Sequence, residues 1–260
     1  MEKIKTISLV VPTFKQESSI IENINSLEAA LKELPYRYEI VIVVDGFLDN
    51  TYNLVKKLRR RHVRVLGYES NKGKGFAVRF GMLQAKGDVI GFIDGGMDID
   101  PTSISMLVNH FIWYDADIVI GSKLHPVSQV NYPFIRKVLS WGYRSMIRIM
   151  FGLKVRDTQV GMKLFRREVV RDVFPRLLVK HFAFDIEILA VAYSRGFKRI
   201  FEAPVKIIFT NKSSIAGNSF SSVLSKSFWE AIMHMMWDTF AVFYRLKILN
   251  YYNKQQVRAL

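Results

Sequence analysis

The residues best placed for chemistry are three carboxylates in Asp94-Gly-Gly-Met-Asp98-Ile-Asp100-Pro101, directly after the apolar run Val89 to Ile93. Carboxylates gathered at the end of a strand repel one another unless a cation sits among them. A divalent ion that also bridges a diphosphate supplies that cation, and Mg²⁺ or Mn²⁺ suits hard carboxylate oxygens. Asp94 and Asp98 are the metal candidates. Asp100 stands before a proline that can open a helix without losing a hydrogen bond, so it reads as a cap.

A second pattern lies further on. Arg136, Ser140, Arg144 and Arg148 recur every four residues, so they share one face of a helix. Guanidinium forks beside a hydroxyl can grip a phosphate. For Arg144 and Arg148 a solvent-facing stripe is an equal alternative. Lys123 can add a point charge nearby.

Composition narrows the partners. The 260 residues carry a formal net charge of +15, which calls for an anionic partner. The basic residues from Lys56 to Arg61 have neither interleaved aromatics nor a reader motif, so nucleic acid is not expected. With no cysteine, disulfides, thiolate chemistry and Cys-based zinc sites are excluded. None of the five histidines is paired at metal-ligand spacing. Half the residues are hydrophobic, enough for one sizeable core. The N-terminal apolar run is too short for a signal peptide, and no uninterrupted apolar stretch is long enough to span a membrane.

Elements that could position these groups alternate regularly. Strands are expected at Ile7–Pro12, Tyr38–Val44, Val63–Tyr68, Asp88–Ile93 and Asp117–Ile120. Helices are expected at Glu17–Leu34, Asn50–Arg61 and Gly75–Ala85, and from Pro101. The order predicts an α/β fold with a mostly parallel sheet and helices on both faces. Ligands of such sheets bind at the carboxyl ends of strands, here Thr13–Glu17, Asp45–Asp49 and Asp94–Asp100. Later expectations are a helix at Pro133–Phe151, strands at Val160–Arg166 and Val205–Phe209, and a helix at Phe184–Arg195.

Several motifs in order sharpen this reading: Val11-Pro12-Thr13-Phe14-Lys15-Gln16-Glu17, Val44-Asp45-Gly46-Phe47-Leu48-Asp49-Asn50-Thr51, Asn71-Lys72-Gly73-Lys74-Gly75 and Phe92-Ile93-Asp94. Together they resemble the inverting glycosyltransferases of the GT-A (Rossmann-like) fold. Gly121-Ser122-Lys123, Arg136 to Ser140, Asp157 to Lys163 and Phe182 to Glu187 are similar to the dolichyl-phosphate mannose synthase branch and its bacterial polyprenyl-phosphate relatives. The resemblance implies a GT-A domain over residues 1–210. It implies transfer of a sugar from a GDP- or UDP-linked donor to a polyprenyl phosphate, with Mg²⁺ or Mn²⁺. By position, Pro12, Phe14, Glu17 and Asp45 would line the nucleotide pocket. Asp94 would hold the metal, with Gln159, Lys163 and Asp185 positioning sugar and acceptor at the catalytic centre. Lys123, Arg136 and Ser140 would take the acceptor phosphate. The branch pattern Asp-x-Asp-x-Gln reads here as Asp94-Gly-Gly96-Met-Asp98, so the central acid is a glycine and Asp98 stands in the glutamine's place. Glu187 ranks below Asp185, because one helical turn can expose it.

Residues 211–221 form a polar break. In residues 222–260, Lys226, Glu230, His234 and Asp238 make one polar stripe on an otherwise apolar helix. That pattern predicts an amphipathic helix in a membrane interface, and a peripheral location at the cytoplasmic membrane face. Packing on protein is the alternative. Two other functions fit the residues less fully: a related transferase with a glycan acceptor, or a non-catalytic homologue that binds nucleotide or membrane.

Overall fold

In the computed structural model of the chain, seven strands form one sheet: β1 (Thr6–Thr13), β2 (Arg37–Asp45), β3 (Val63–Tyr68), β4 (Val89–Ile93), β5 (Ile118–Ser122), β6 (Met162–Arg166) and β7 (Ile200–Pro204). The structure describes residues 4–123, 134–180, 183–208 and 226–254, with the side chains of 134–140, 226–229 and 231 excepted. Helices are α1 (Ile20–Lys32), α2 (Thr51–Lys57), α3 (Lys74–Gln84), α4 (Ser103–Trp113), α5 (Phe134–Phe151), α6 (Arg167–Val173), α7 (Phe184–Ser194), α8 (Lys226–Phe243) and α9 (Tyr251–Lys254). The spatial order is β3-β2-β1-β4-β6-β5-β7. Every neighbouring pair is parallel except those of β6, which runs antiparallel to β4 and β5.

The strands are apolar along their length because helices cover both faces. In β2, Val41 and Val43 face the core beneath α3 and α7, whereas Ile40, Ile42 and Val44 face the core beneath α1, α2 and α4. Helix α1 meets the second core through Ile20, Ile24, Leu27 and Leu31, a stripe at helical spacing. Each such side chain contributes about 1.5–3 kcal/mol by leaving water.

The sheet order reverses between β1 and β4, since β1 leads by way of α1 to β2 on one side and β3 leads by way of α3 to β4 on the other. That switch point opens a crevice at the strands' carboxyl ends. Thr13 and Asp94 mark its two rims.

Two expectations change. The strand expected at Val205–Phe209 is instead β7 at Ile200–Pro204, which pairs along β5. The later segment forms only a bridge, Ile207 to Ile99. Helix α6 follows β6 immediately and had no counterpart among the expected elements. The polar break at 211–221 lies outside the described residues.

Helix α8 packs on protein along one side: Thr239 is buried against the Tyr143 hydroxyl of α5 at 3.1 Å, and Phe243 meets Phe151 with ring centroids 6.0 Å apart. Its other side leaves Met233, Trp237 and Phe240 exposed, and α5 exposes Trp141 and Ile149. No helix among the described residues is long and apolar enough to cross a membrane.

Candidate active site

The crevice is organised from Asp45, the last residue of β2. Its buried carboxylate accepts four hydrogen bonds: Tyr68 Oη (2.9 Å) and the Lys72 amide (2.7 Å) on Oδ1, Asn71 Nδ2 (3.1 Å) and the Gly73 amide (3.0 Å) on Oδ2. Burial, then the adjoining Asp45 carboxylate, drives the Tyr68 phenol far above its ordinary range. Gly73 has φ of 94°, a conformation that a side chain would strain. This turn sets Lys74 as the first residue of α3. The preceding Lys72 folds its ammonium over Phe76 and Tyr68, 4.7 and 5.3 Å from the ring centroids.

Lys74 reaches across the crevice to Asp94. Its Nζ donates to Oδ2 at 2.8 Å and lies 2.7 Å from Oδ1. The buried Oδ1 has no further hydrogen-bond partner among the described residues. Burial opposes the Lys74 charge, but the carboxylates of Asp94, Asp185 and Asp98 outweigh it and raise the ammonium's pKa. Both side chains remain more than a third exposed, so the pair is open to a ligand.

Asp94 is itself set by its backbone. Its amide donates to Gly161 O at 2.8 Å, across from β6. A Cβ on Gly161 would fall inside the Asp94 carboxylate. The Met97 amide returns to Asp94 O at 3.1 Å, closing a turn over Gly95 and Gly96, and Met97 has φ of 54°. Such a left-handed conformation in a large residue is a strained one. A side chain on Gly95 would collide with Pro12 O, whereas one on Gly96 would meet nothing within 4 Å. Asp98 is tied by its carbonyl to the Ile208 amide. Asp100 serves the turn into α4, accepting from the Thr102 amide (3.0 Å) and hydroxyl (2.8 Å) and pairing with Lys206. The Asp94 and Asp98 carboxylates are hard oxygen donors of the kind that fits a divalent ion shared with phosphate oxygens.

On the β1 rim, Phe14 is 45% exposed and Pro12 is buried against Gly95. Glu17 and the turn after β2 are clamped reciprocally: Asn50 N donates to Glu17 Oε2 (2.9 Å), and Glu17 N donates to Asp49 Oδ2 (3.1 Å). Phe47 and Leu48 are exposed on the same rim.

Lys163 and Asp185 meet in the interior, not in the crevice. Lys163 is fully buried; Nζ donates to Asp185 Oδ1 and to Val160 O (2.7 Å) and sits 5.3 Å from the Phe92 ring centroid. Burial raises the Asp185 carboxyl against the pull of Lys163 and Lys74. Glu187 is fully buried, which corrects the expectation that its turn exposes it. Its carboxylate accepts from the Leu178 and Val179 amides and from Tyr252. Gln159 is exposed, and its Nε2 contacts Met235 Sδ of α8 at 2.8 Å.

Lys123 follows β5, its amide bonded to Asp157 Oδ2 at 3.1 Å. Burial raises the Asp157 carboxyl. Arg136 and Ser140 belong to α5, but their side chains lie outside the described residues. The structure therefore joins Pro12, Phe14, Asp45 and Asp94 around one crevice, and joins Lys163 to Asp185 beneath it. Three participants stood in the quoted motifs without a role of their own: Lys74, Gly161 and Gln16, whose buried Oε1 has no partner among the described residues. Only the glycines flanking Lys74 distinguished it within its basic run.

Known proteins agree with this architecture. The sequence profile described as Glycosyl transferase family 2 matches residues 8–174. Dolichyl-phosphate beta-glucosyltransferase of Dictyostelium discoideum is 32% identical, over 72% of this chain and 62% of its own. The human protein of that name is 30% identical, over 82% and 69%. Dodecaprenyl-phosphate galacturonate synthase of Rhizobium johnstonii is 28% identical, over 64% and 49%. The matched region is thus less than two thirds of the length of the Dictyostelium relative. Among solved structures, glucosyl-3-phosphoglycerate synthase from Mycobacterium tuberculosis, in complex with Mn²⁺, UDP and phosphoglyceric acid, superposes with a TM-score of 0.59. It is 19% identical, over 79% of this chain and 72% of its own. That likeness is one of fold, here the GT-A fold.

Proposed function

The chain belongs to glycosyl transferase family 2, and on that premise we propose that it transfers a sugar from a nucleoside-diphosphate donor to a polyprenyl (dolichyl-type) phosphate, with inversion. The observation that carries the reading is Asp94, a partly open carboxylate at the end of β4, beside the point where the sheet order reverses. The relatives' names favour a glucosyl donor over a mannosyl one.

The acceptor phosphate is already ionised near neutral pH, so the reaction needs no strong general base. Its oxygen forms the new bond to the anomeric carbon as the bond from that carbon to the diphosphate breaks. The protein must align the two and neutralise the departing charge. Asp94 and Asp98 would hold Mg²⁺ or Mn²⁺, which supplies positive charge to the diphosphate. Pro12, Phe14 and Glu17 line the base side. Asp45 shapes the loop above it. The buried Lys163–Asp185 pair fixes the floor, and Gln159 borders it. Lys123, Arg136 and Ser140 receive the acceptor phosphate. The exposed apolar sides of α5 and α8 rest on the membrane surface, at its cytoplasmic face.

The test is a donor screen with UDP-glucose, UDP-galacturonate and GDP-mannose against vesicles carrying polyprenyl phosphate, with and without Mg²⁺ or Mn²⁺. A polyprenyl-phosphate sugar is the expected product. No product under any condition, from protein whose fold is intact, would sink the assignment.

A further inference from the structure

We infer that Glu187 is a positioning residue for the donor crevice: its buried carboxylate ties the seating of the C-terminal helix α9 to the first turn of α3. The inference rests on the reading of this crevice as a nucleoside-diphosphate site.

The link can be followed bond by bond. Glu187 lies in the first turn of α7 and is fully buried. Its Oε2 accepts from the Leu178 and Val179 amides at 3.0 and 2.9 Å, and its Oε1 accepts from Tyr252 Oη at 2.6 Å. The next residue, Lys180, offers its carbonyl to Gly75 N at 2.9 Å. Gly75 is the second residue of α3, where an amide has no partner within its own helix. The approach is close: a Cβ on Gly75 would lie 2.8 Å from Val179 O and 2.9 Å from Phe184 Cβ. Further along α3, Arg79 donates to Phe174 O and Pro175 O, both at 2.9 Å. Residues 174–180 are thus bonded to α3 on one side and to Glu187 on the other. Beside Gly75, Lys74 reaches Asp94 Oδ2 at 2.8 Å, which brings the chain of contacts into the crevice.

The far side of Glu187 belongs to the C-terminal segment. Tyr252 comes from α9, and Arg245 stands in the helical turn Tyr244–Ile248 that continues α8, its Nη1 3.8 Å from Glu187 Oε1. That nitrogen is buried and has no hydrogen-bond partner among the described residues, so it meets Glu187 as a charge and not as a donor. A carboxylate that accepts from two segments holds them in one relation. When the Tyr252 donor is lost, Glu187 can rotate and the Leu178–Val179 turn can shift. Gly75 then follows, because its contact with Val179 and Lys180 has no slack. A small displacement of the turn that carries Lys74 loosens the diphosphate site far more than it loosens the fold, since alignment there is needed to a fraction of an ångström.

The experiment separates positioning from stability. UDP and GDP are titrated calorimetrically, in Mn²⁺, into wild type, Tyr252→Phe, Glu187→Gln and Glu187→Ala, and amide hydrogen exchange is followed at Gly75. Leu27→Ala, in the core beneath α1, is the control for lost stability alone, and all are compared at a temperature where each is folded. Tyr252→Phe should weaken the nucleotide that wild type prefers on the order of fivefold and speed exchange at Gly75 on the order of tenfold. Glu187→Ala should lose more. Glu187→Gln keeps an oxygen for the two amides and can donate to Tyr252 Oη, so it should recover most of the affinity. Leu27→Ala should bind as wild type does. If folded Tyr252→Phe keeps wild-type affinity, if Leu27→Ala loses as much, or if Glu187→Gln is no better than a folded Glu187→Ala, the positioning role is overturned. Should Glu187→Ala not fold, Tyr252→Phe and the control decide. If wild type binds neither UDP nor GDP, the nucleotide-site reading itself fails and takes this role with it, even where Gly75 exchange responds to Tyr252→Phe.

Discussion

Tyr252 donates its phenolic hydrogen to Glu187 Oε1 at 2.6 Å, although 65 residues separate them. Both side chains are fully buried. Arg176 Nη1 adds a bond to Tyr252 O at 3.0 Å. This stitch holds α9 to α7 and to the segment whose Lys180 carbonyl pins the start of α3. Tyr252→Phe keeps the ring and removes one donor from a buried carboxylate, so it should cost about 1–3 kcal/mol in urea unfolding. An unchanged midpoint would mean that the bond carries no net stability.

Gly161→Ala places a methyl group where the Asp94 carboxylate lies. The carboxylate can rotate aside, so the fold should survive with a small loss of melting temperature. The displaced Asp94 should cost on the order of a hundredfold in transfer rate. Equal losses in melting temperature and rate would indicate a packing effect alone.

Removing the Asp45 carboxylate leaves four donors unmet around the loop that sets Lys74. Asp45→Ala should lose on the order of 3 kcal/mol of stability and at least tenfold in UDP affinity by calorimetry. Stability loss with UDP affinity unchanged would separate this loop from the donor site.

Asp172 accepts from Arg195 Nε at 2.7 Å and Arg176 Nη2 at 3.1 Å. Burial pushes its carboxyl up, but these two arginines outweigh it and hold the pKa below the ordinary carboxylate value. A folded pKa below the unfolded one stabilises the protein above about pH 4, and the gain fades as pH falls through the folded value. Asp172→Asn should therefore be less stable than wild type near pH 6. The gap should close below about pH 4 in urea titrations. A gap that persists at pH 2 would assign the loss to shape instead of charge.

Trp237 is 76% exposed and Trp141 66% exposed, on α8 and α5. If these exposed side chains rest on lipid, Trp141→Ala with Trp237→Ala should reduce co-sedimentation with anionic vesicles several-fold while leaving the melting temperature near wild type. Sedimentation equal to wild type would remove this face from the membrane contact.

Much of the scaffold was legible because its strands are buried on both faces. Runs such as Ile40 to Val44 have one low-energy place, in the middle of a covered sheet. The last strand was not. Val205 to Phe209 is a plausible strand sequence, yet the pairing along β5 selects Ile200 to Pro204, a tertiary choice that local pattern does not encode. The acidic side of the crevice was legible too, since Asp94 follows an apolar run. Its partner Lys74 was not, because a lysine in a basic segment carries no mark of a carboxylate twenty residues later. Glu187 was misjudged for the same reason. One helical turn sets a direction, but the burial of that direction depends on Tyr252 and the chain that follows α8.

The reversed strand has one more consequence. Four parallel strands deliver their last residues to the crevice, but β6 departs from it, with Gly161 at its threshold and Lys163 two residues on. Slipping β6 by one residue against β4 would exchange its faces. Met162 or Leu164 would then stand against Asp185, and the Lys163 ammonium would enter the opposite core among aliphatic side chains. The hinge-to-strand length between α5 and β6 is thus a phase setting: a single-residue deletion in 153–160 should remove the buried ion pair and the Asp94 niche together, though it deletes neither.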